Sequence, residues 1–194
     1  MDFEHIKSKL LLEHGSFDKI SYNDNYYYKG IYGISIDFPE NIKKYFQLPE
    51  HQKIISHMQS VPDNPNLLYV GSAKKGTSDI SERLYDYQLG RFLIENNPNQ
   101  FRAVFYRKLG SVLGFVATVK QKNFRFSVDD DLLVRNWVFE HLRVFHFNLN
   151  NEVDKITDYE KKLIGELKPT FNYIYNPKKC DEVTKLHGRN SNSQ

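Results

Sequence analysis

The chain has 194 residues, of which 26% are charged and 40% hydrophobic, with a formal net charge of +3. This length and composition are typical of one globular domain with additions that can bury a sizeable core. No apolar run approaches the roughly 18 residues of a membrane helix, and the N-terminus lacks the apolar segment of a signal peptide, so we expect a cytoplasmic protein. Cys180 is the only cysteine, which excludes an internal disulfide and a thiolate-rich metal site.

The first part of the chain predicts a helix, a strand and an insertion. Phe3, Ile6 and Leu10 have helical spacing, and Gly15 provides a stop for this helix. Residues 30–38, GIYGISIDF, alternate in the manner of a strand. Residues 37–66 then carry four prolines and two short helical patterns, which we interpret as an insertion about the size of a helical hairpin.

The middle of the chain predicts a strand followed by two helices. Residues 66–71, NLLYVG, are typical of a strand, and residues 76–97 of a helix with Ser78 or Asp79 as its N-cap. Residues 100–116 predict the second helix, although two glycines weaken its pattern.

The last part of the chain continues this mixed α/β pattern. Residues 124–131 predict a short strand, residues 130–142 a helix with acidic residues at its N-terminal end, and residues 142–149 another strand. Further helical spacing precedes Pro169, which stops that helix, and TFNYIY follows as a short extended piece. The apolar pattern is lost from Asn176 onward, which predicts a flexible tail.

Two charged residues share helix faces with apolar residues. Glu160 precedes Leu163 and Ile164 by three and four positions, so it lies on or beside the apolar stripe of its helix. A carboxylate there requires an arginine, a hydrogen-bond network or a bound cation, although an edge glutamate paired with a lysine is the commoner case. Arg83 shares a helix face with Tyr87. Its guanidinium could bind two phosphate oxygens, or its aliphatic stem could cover apolar surface while the guanidinium reaches water.

A basic stretch and two tyrosines complete the candidate features. Residues 101–125 contain no acidic residue and six basic ones: Arg102, Arg107, Lys108, Lys120, Lys122 and Arg125. Such a run is usually a solvated face, but it also suits contact with a duplex. Tyr32 and Tyr69 each lie in a predicted strand, where a tyrosine is usually a half-buried aromatic; a phenol can also orient or deprotonate a water.

In chain order, these features form GIY at residues 30–32, YVG at 69–71, Arg83 with Tyr87, and EKKLIGELKPTFN at 160–172. This ordered set resembles the GIY-YIG nuclease superfamily, which occurs in phage homing endonucleases, the bacterial excision-repair nuclease subunit and some restriction enzymes. The resemblance implies an α/β (α+β) fold with a small, mostly antiparallel β-sheet flanked by helices. We expect a helical extension over 1–28, a nuclease domain over 29–175 with the 37–66 insertion between its first two strands, and a flexible tail over 176–194.

The resemblance also implies roles for the tyrosines and the arginine. Tyr32 and Tyr69 match the two motif tyrosines, which line the nucleophile side of the site. Tyr32, directly or through Tyr69, would take the proton of the attacking water. Arg83 matches the arginine that contacts the scissile phosphate, and Tyr87 matches a position that carries His or Tyr.

The remaining matches concern the metal and the basic groups. Glu160 matches the sole carboxylate ligand of a divalent cation, Mg²⁺ or Mn²⁺, and Asn172 matches an asparagine that braces the site. Ser72 stands where the repair subunit has a lysine, so the basic role passes to Lys74 or Lys75. Nucleic-acid contacts are expected from Lys75 together with four residues of the basic stretch: Arg107, Lys108, Lys120 and Lys122.

These implications favour a metal-dependent DNA endonuclease of the restriction or defence type, because the additions surround the catalytic core instead of forming separate DNA-binding modules. Cleavage of a palindrome would favour a homodimer with one site per strand. The alternatives are a repair or structure-selective nuclease and a non-catalytic nucleic-acid-binding module. The presence of all six motif residues argues against the binding module, and cleavage of RNA is left open.

Overall fold

A four-stranded antiparallel sheet forms the centre of the fold. The computed structural model describes residues 2–12, 18–19, 26–36, 48–61, 66–74, 76, 78–90, 104–119 and 124–191. The strands are β1 (Asp18–Lys19), β2 (Gly30–Ile36), β3 (Leu67–Ala73) and β4 (Leu142–Asn148). Their order is β1-β4-β2-β3, so the two-residue β1 is one edge and β3 is the other. The predicted antiparallel α/β fold is confirmed, and β1 is an addition to it.

Helices flank this sheet along the chain. They are α1 (Phe3–Leu12), α2 (Pro49–Gln59), a π-helix (Ser81–Gln88), α3 (Val104–Val112), α4 (Val128–His141), a 3₁₀ helix (Asn150–Lys155), α5 (Ile156–Leu167) and α6 (Asp181–Ser191). Among the described residues, none of these helices has the length and apolar character needed to cross a bilayer. The part of the predicted insertion before Leu48, with its first helical pattern, lies outside the described residues.

Both faces of the sheet are covered, which explains why all seven residues of β2 are buried. On one face, Tyr32 and Ile34 pack with buried residues of α2, α3, α4, α6 and the π-helix. On the other face, Ile31 and Val70 pack with residues of α1 and α5. The segment before residue 29, expected as an extension, therefore contributes Ile6 of α1 to the domain core.

The short strand predicted over residues 124–131 is wrong. The Oγ of Ser127 accepts a hydrogen bond from the Asp130 N–H at 3.1 Å, so α4 already begins at Val128. Three aspartates in the first turn of α4 then lie where the helix dipole favours negative charge. The aromatic residues Phe124 and Phe126, which suggested a strand, are instead buried in the core.

The flexible tail predicted over residues 176–194 is also wrong. Residues 181–191 form α6, whose Val183 and Leu186 are buried. Asn190 fixes α6 to α3 and the segment that follows it, because its Oδ1 accepts from the Ala117 N–H at 2.8 Å and its Nδ2 donates to the Ser111 Oγ at 2.9 Å. The domain therefore continues through α6, and only residues 192–194 of the predicted tail lie outside the described part.

Candidate active site

A cavity of about 280 Å³ opens beside the edge strand β3. Its described lining residues are Tyr32, Tyr69, Ser72, Ala73, Lys74, Gly76, Ser78, Arg83 and Glu160. The structure therefore brings together five of the seven residues that the sequence suggested as catalytic. Of the other two, Asn172 lies against the outer edge of β3, and the side chain of Tyr87 is outside what the structure describes.

The two tyrosines project from the same face of the sheet. Tyr32 lies opposite Gly71 in the β2–β3 pairing, and Tyr69 precedes Gly71 by two residues, so both side chains alternate to one side. Their ring centroids are 6.3 Å apart, with an interplanar angle of 30°. Tyr32 is only 1% exposed, and its hydroxyl accepts a hydrogen bond from Gln88 Nε2 at 3.2 Å. The phenols thus form one wall of the cavity.

Burial controls the protonation of both phenols. It raises the pKa of Tyr32 well above its usual value, with a smaller contribution from Tyr69. Burial, followed by the Glu160 carboxylate, raises the pKa of Tyr69 to about 12, while the Arg83 guanidinium acts in the opposite direction. In the electrostatic field of the protein itself, both phenols therefore keep their protons at neutral pH and can orient a water or phosphate by hydrogen bonding.

Glu160 reaches the cavity from α5, beside the buried Leu163 and Ile164. Its Oε2 accepts a hydrogen bond from Ser72 Oγ at 2.7 Å and lies 3.8 Å from Lys74 Nζ. Its Oε1 accepts no hydrogen bond from any residue in the described ranges. One carboxylate oxygen is thus fixed by the strand, and the other remains for a ligand.

The donor atoms around this carboxylate suit a hard divalent cation. They are the Glu160 carboxylate, the Ser72 hydroxyl and the two phenols, and no imidazole or sulfur is among the described lining residues. Mg²⁺ prefers oxygen ligands, keeps several waters and uses one or two carboxylates. The described ranges contain no group of three or more His, Cys, Asp or Glu residues that could hold a metal. Glu160 is the one carboxylate among the described lining residues, and the oxygen donors beside it are of the kind that Mg²⁺ prefers.

Arg83 lies in the π-helix, which begins after a capped turn. Asp79 Oδ1 accepts from the Glu82 N–H at 2.9 Å. Of the two predicted N-cap candidates, Ser78 and Asp79, it is therefore Asp79 that caps this turn. The Arg83 side chain is exposed, lines the cavity and makes no hydrogen bond or ion pair with the residues that the structure describes. Its guanidinium is therefore available to an anion.

The π-helix supplies a contact that the sequence pattern did not indicate. In this helix the N–H of residue i+5 bonds to the carbonyl of residue i, as between Leu89 and Leu84 at 3.0 Å. Near its end, Gln88 Nε2 donates to the Tyr32 hydroxyl at 3.2 Å. The sequence spacing indicated Arg83 and Tyr87 and gave no signal for Gln88.

Asn172 caps the outer edge of β3. Its Oδ1 accepts from the Val70 N–H at 2.8 Å, and its Nδ2 donates to the Val70 carbonyl at 2.9 Å. The neighbouring Phe171 N–H donates to the Leu68 carbonyl at 2.8 Å. Residues 171–172 thus satisfy backbone groups beside Tyr69. The extended piece predicted over residues 170–175 instead contains turns at 170–171 and 174–175.

Two of the predicted nucleic-acid contacts do not lie on a solvated face. Arg107 is 6% exposed and Lys108 is 7% exposed, because α6 covers this side of α3. Lys108 Nζ donates to the Phe171 carbonyl at 2.9 Å, and burial lowers its pKa to about 8. The prediction that these two residues belong to a basic face open to a duplex is wrong. Lys75, Lys120 and Lys122 lie outside the described residues.

Ser72 is the second site residue that sequence reasoning missed. It follows the YVG motif directly, and its position was considered only as the absence of a lysine. The sequence could have indicated Ser72, since a small hydroxyl residue near the end of a strand can orient the carboxylate of a neighbouring element. Its 2.7 Å hydrogen bond to Glu160 is what joins β3 to α5 inside the cavity.

The antiparallel sheet, with an arginine- and glutamate-lined cavity at its edge, defines a catalytic domain suited to a phosphodiester. The family described as the GIY-YIG catalytic domain has a sequence model that matches residues 30–189, and the chain belongs to this family. Membership supports nuclease activity in general and a nucleic-acid substrate. The match extends through most of α6, in agreement with its packing on the domain. No curated protein and no solved structure gives a significant match to the chain.

Proposed function

We propose that the protein is a Mg²⁺-dependent endonuclease that hydrolyses phosphodiester bonds in DNA. The observation that supports this proposal most directly is that Glu160, Arg83 and Tyr32 line one cavity. They supply a carboxylate oxygen and a guanidinium that have no hydrogen-bond partner among the described residues, and a positioned phenol. A phosphodiester carries negative charge and repels hydroxide, so a cation, a metal ligand and a group that positions water would promote its hydrolysis when held close together.

The cations of the site would bind the scissile phosphate. The Arg83 guanidinium presents N–H donors in a fork that matches two phosphate oxygens. Lys74, half-exposed and 3.8 Å from Glu160, would add a second positive charge on the same side. Glu160 would hold Mg²⁺, or Mn²⁺ in its place, which when bound polarises a phosphate oxygen and stabilises the departing 3′ oxygen.

The tyrosines would position the attacking water and accept its proton. Gln88 fixes the hydroxyl of Tyr32, so this phenol can hold a water at a defined position. Tyr32, directly or through Tyr69, would receive the proton of that water. Its pKa has to fall in the substrate complex for this transfer, and Arg83 is a cation of the site that already acts in that direction. The products would carry 5′ phosphates.

We infer a restriction or other defence role from how the helices added to the motif-bearing core pack around it. The α2 and α6 helices pack with α3 in the same core as Tyr32, so the elements around the motifs enlarge one domain. Within this domain, the insertion before β3 is the proposed recognition or assembly element. For a palindromic target, a homodimer would place one site on each strand.

The test is incubation of plasmid and phage DNA with the protein, in Mg²⁺ or in EDTA, alongside Glu160→Gln. We expect discrete Mg²⁺-dependent fragments that are lost in this variant. Glu166→Gln is the matched control, since Glu166 lies on the same helix but pairs with Lys7 and Lys162. A smear would instead support a non-specific or structure-selective nuclease, and an uncut substrate would overturn the proposal.

A further inference from the structure

A second cavity, of about 470 Å³, adjoins the catalytic cavity and shares Tyr69, Lys74 and Glu160 with it. The rest of its wall is mainly apolar and aromatic and includes Ile164 and Phe171. Its volume lies within the range of small-ligand sites, which combine such walls with a few polar groups. A group bound here would therefore lie next to a phosphate bound in the catalytic cavity.

One rim of this cavity is an exposed aromatic segment, Tyr173–Tyr175. Tyr173 is 44% exposed, Ile174 67% and Tyr175 55%. Single exposed apolar residues need no explanation, but three in succession beside a catalytic cavity indicate a binding surface. We refer to these three residues as the aromatic rim.

Lysines surround the aromatic rim. Lys179 Nζ lies 4.0 Å from the ring centroid of Tyr173. Lys161 Nζ lies 5.5 Å from the ring centroid of Tyr175. Interleaved aromatic and basic side chains are the combination that proteins use to hold single-stranded nucleic acid, with rings for the bases and cations for the phosphates.

The backbone holds the aromatic rim in a fixed relation to the catalytic edge. Tyr175 has φ +64°, a left-handed conformation that is unfavourable for a bulky residue. Asn176, only 2% exposed, fixes the turn because its Nδ2 donates to the Pro169 carbonyl at 2.8 Å and to the Asn172 carbonyl at 3.1 Å. Asn172 in turn holds β3, so the rim and the cavity share one support. Strain maintained in this way is typical of binding sites.

We infer that the second cavity binds an unstacked nucleobase of the substrate, next to the scissile phosphate. This inference rests on the proposed function. With the phosphate held near Arg83 and Lys74, the neighbouring base would enter the second cavity and stack on Tyr173 or Tyr175, while the surrounding lysines contact flanking phosphates. The substrate is then single-stranded or locally unpaired at the point of cleavage, since a base inside an intact duplex cannot reach a ring.

Binding without catalysis tests this inference. Fluorescence anisotropy in EDTA compares a short labelled oligothymidylate with an abasic oligomer of the same length and with the corresponding duplex. We expect the oligothymidylate to bind the wild-type protein more tightly than the other two. Tyr173→Leu and Tyr175→Leu remove a ring but keep an apolar side chain, and at least one of them should weaken oligothymidylate binding by about 5- to 100-fold.

Tyr173→Phe and Tyr175→Phe keep the ring and should bind as the wild type does. The salt dependence should be nearly the same in all variants, because it reports phosphate contacts. Three results would overturn the inference: equal affinity for the abasic oligomer, wild-type binding by both leucine variants, or no binding of oligothymidylate. Stacking-dependent binding without DNA cleavage would refute the proposed function alone, whereas cleavage with ring-independent binding would refute this inference alone.

Discussion

Gly71 lies directly beneath the ring of Tyr32. A β-carbon at Gly71 would come within 2.5 Å of both the Oη and the Cζ of Tyr32, which is closer than any real contact. The two residues are opposite each other in the β2–β3 pairing. The glycine of YVG is thus required by the tyrosine of GIY, since only a residue without a side chain lets the phenol lie across β3.

Replacing this glycine should displace Tyr32. We expect Gly71→Ala to reduce the cleavage rate by about 100-fold, because a displacement of about 1 Å in a catalytic group has effects of that size. The crowding should also lower the free energy of unfolding by about 1–3 kcal/mol, measured by urea denaturation. Gly188→Ala in α6 is the control, because nothing lies within 4 Å of its added carbon. A fully active Gly71→Ala protein would contradict this account of Tyr32.

Loss of the Ser72 hydroxyl should weaken the cation site. Ser72→Ala removes the 2.7 Å hydrogen bond that orients Glu160. The Mg²⁺ concentration for half-maximal cleavage should rise by about 10- to 100-fold, the usual effect of losing a partner of a metal ligand. Ser72→Thr retains a hydroxyl, so its half-maximal Mg²⁺ concentration should rise less than that of Ser72→Ala. An unchanged Mg²⁺ titration in the alanine variant would show that Ser72 does not position the carboxylate.

Substitution of Arg83 should affect the rate without affecting Mg²⁺ binding. Arg83→Ala should slow cleavage by about 10²–10³-fold, as expected for loss of one group that stabilises developing charge. Arg83→Lys should recover part of this loss, because a lysine supplies the charge but not the fork. Since Arg83 is exposed, the melting temperature of both variants should stay near that of the wild type. A lowered Mg²⁺ affinity in Arg83→Ala would assign this residue to the cation site instead.

Asn172 should matter for stability as well as activity. Asn172→Ala leaves the Val70 N–H and carbonyl without their partners, and each unsatisfied group costs about 1–3 kcal/mol. Urea denaturation should show the loss, with the exposed Asn151→Ala as control. Asn172→Asp keeps the acceptor and loses the donor, so we expect an intermediate effect. Wild-type stability of Asn172→Ala would mean that water replaces the amide.

His187 should contribute to acid sensitivity. Burial, with the nearby cations Lys108 and Arg107, lowers its pKa to about 4. The unfolded chain, with the ordinary histidine pKa of about 6.5, binds this proton first, so stability is lost as the pH falls from 6.5 through 4. His187→Phe, which keeps a ring beside Phe124, should lose less stability over this interval in denaturation at pH 7, 5 and 4. Parallel losses in both proteins would exclude His187 as the cause.

The sequence was sufficient for β2, β3 and β4 and for much of the site. The alternation in GIYGISI and the order of the motifs predicted β2, the sheet type and the grouping of Tyr32, Arg83 and Glu160. The π-helix was not predictable, because α- and π-helices differ in hydrogen-bond register and not in residue preference. Gln88 was missed because its hydrogen bond to Tyr32 joins residues 56 positions apart, which no local pattern encodes. Helix α6 was missed because it has only two buried apolar side chains, Val183 and Leu186, among polar residues.

The burial of α3 depends on that missed helix. Arg107 and Lys108 suggested a solvated face because the stretch 101–125 contains six basic residues and no acidic one. Their burial follows from the packing of α6, where Asn190 bonds to Ser111 and Ala117. Pairings between residues more than 70 positions apart are not encoded in any local pattern.

The covering of β3 by residues 171–172 has a consequence for self-association. An uncovered edge strand offers its free backbone groups to a strand of another molecule and so promotes aggregation. The Asn172 amide occupies those groups at Val70, in the middle of β3. A substitution of Asn172 would therefore also expose the Val70 N–H and carbonyl on this edge, where another molecule could pair with them. Selection for solubility would then preserve this asparagine even in a copy that had lost its catalytic purpose.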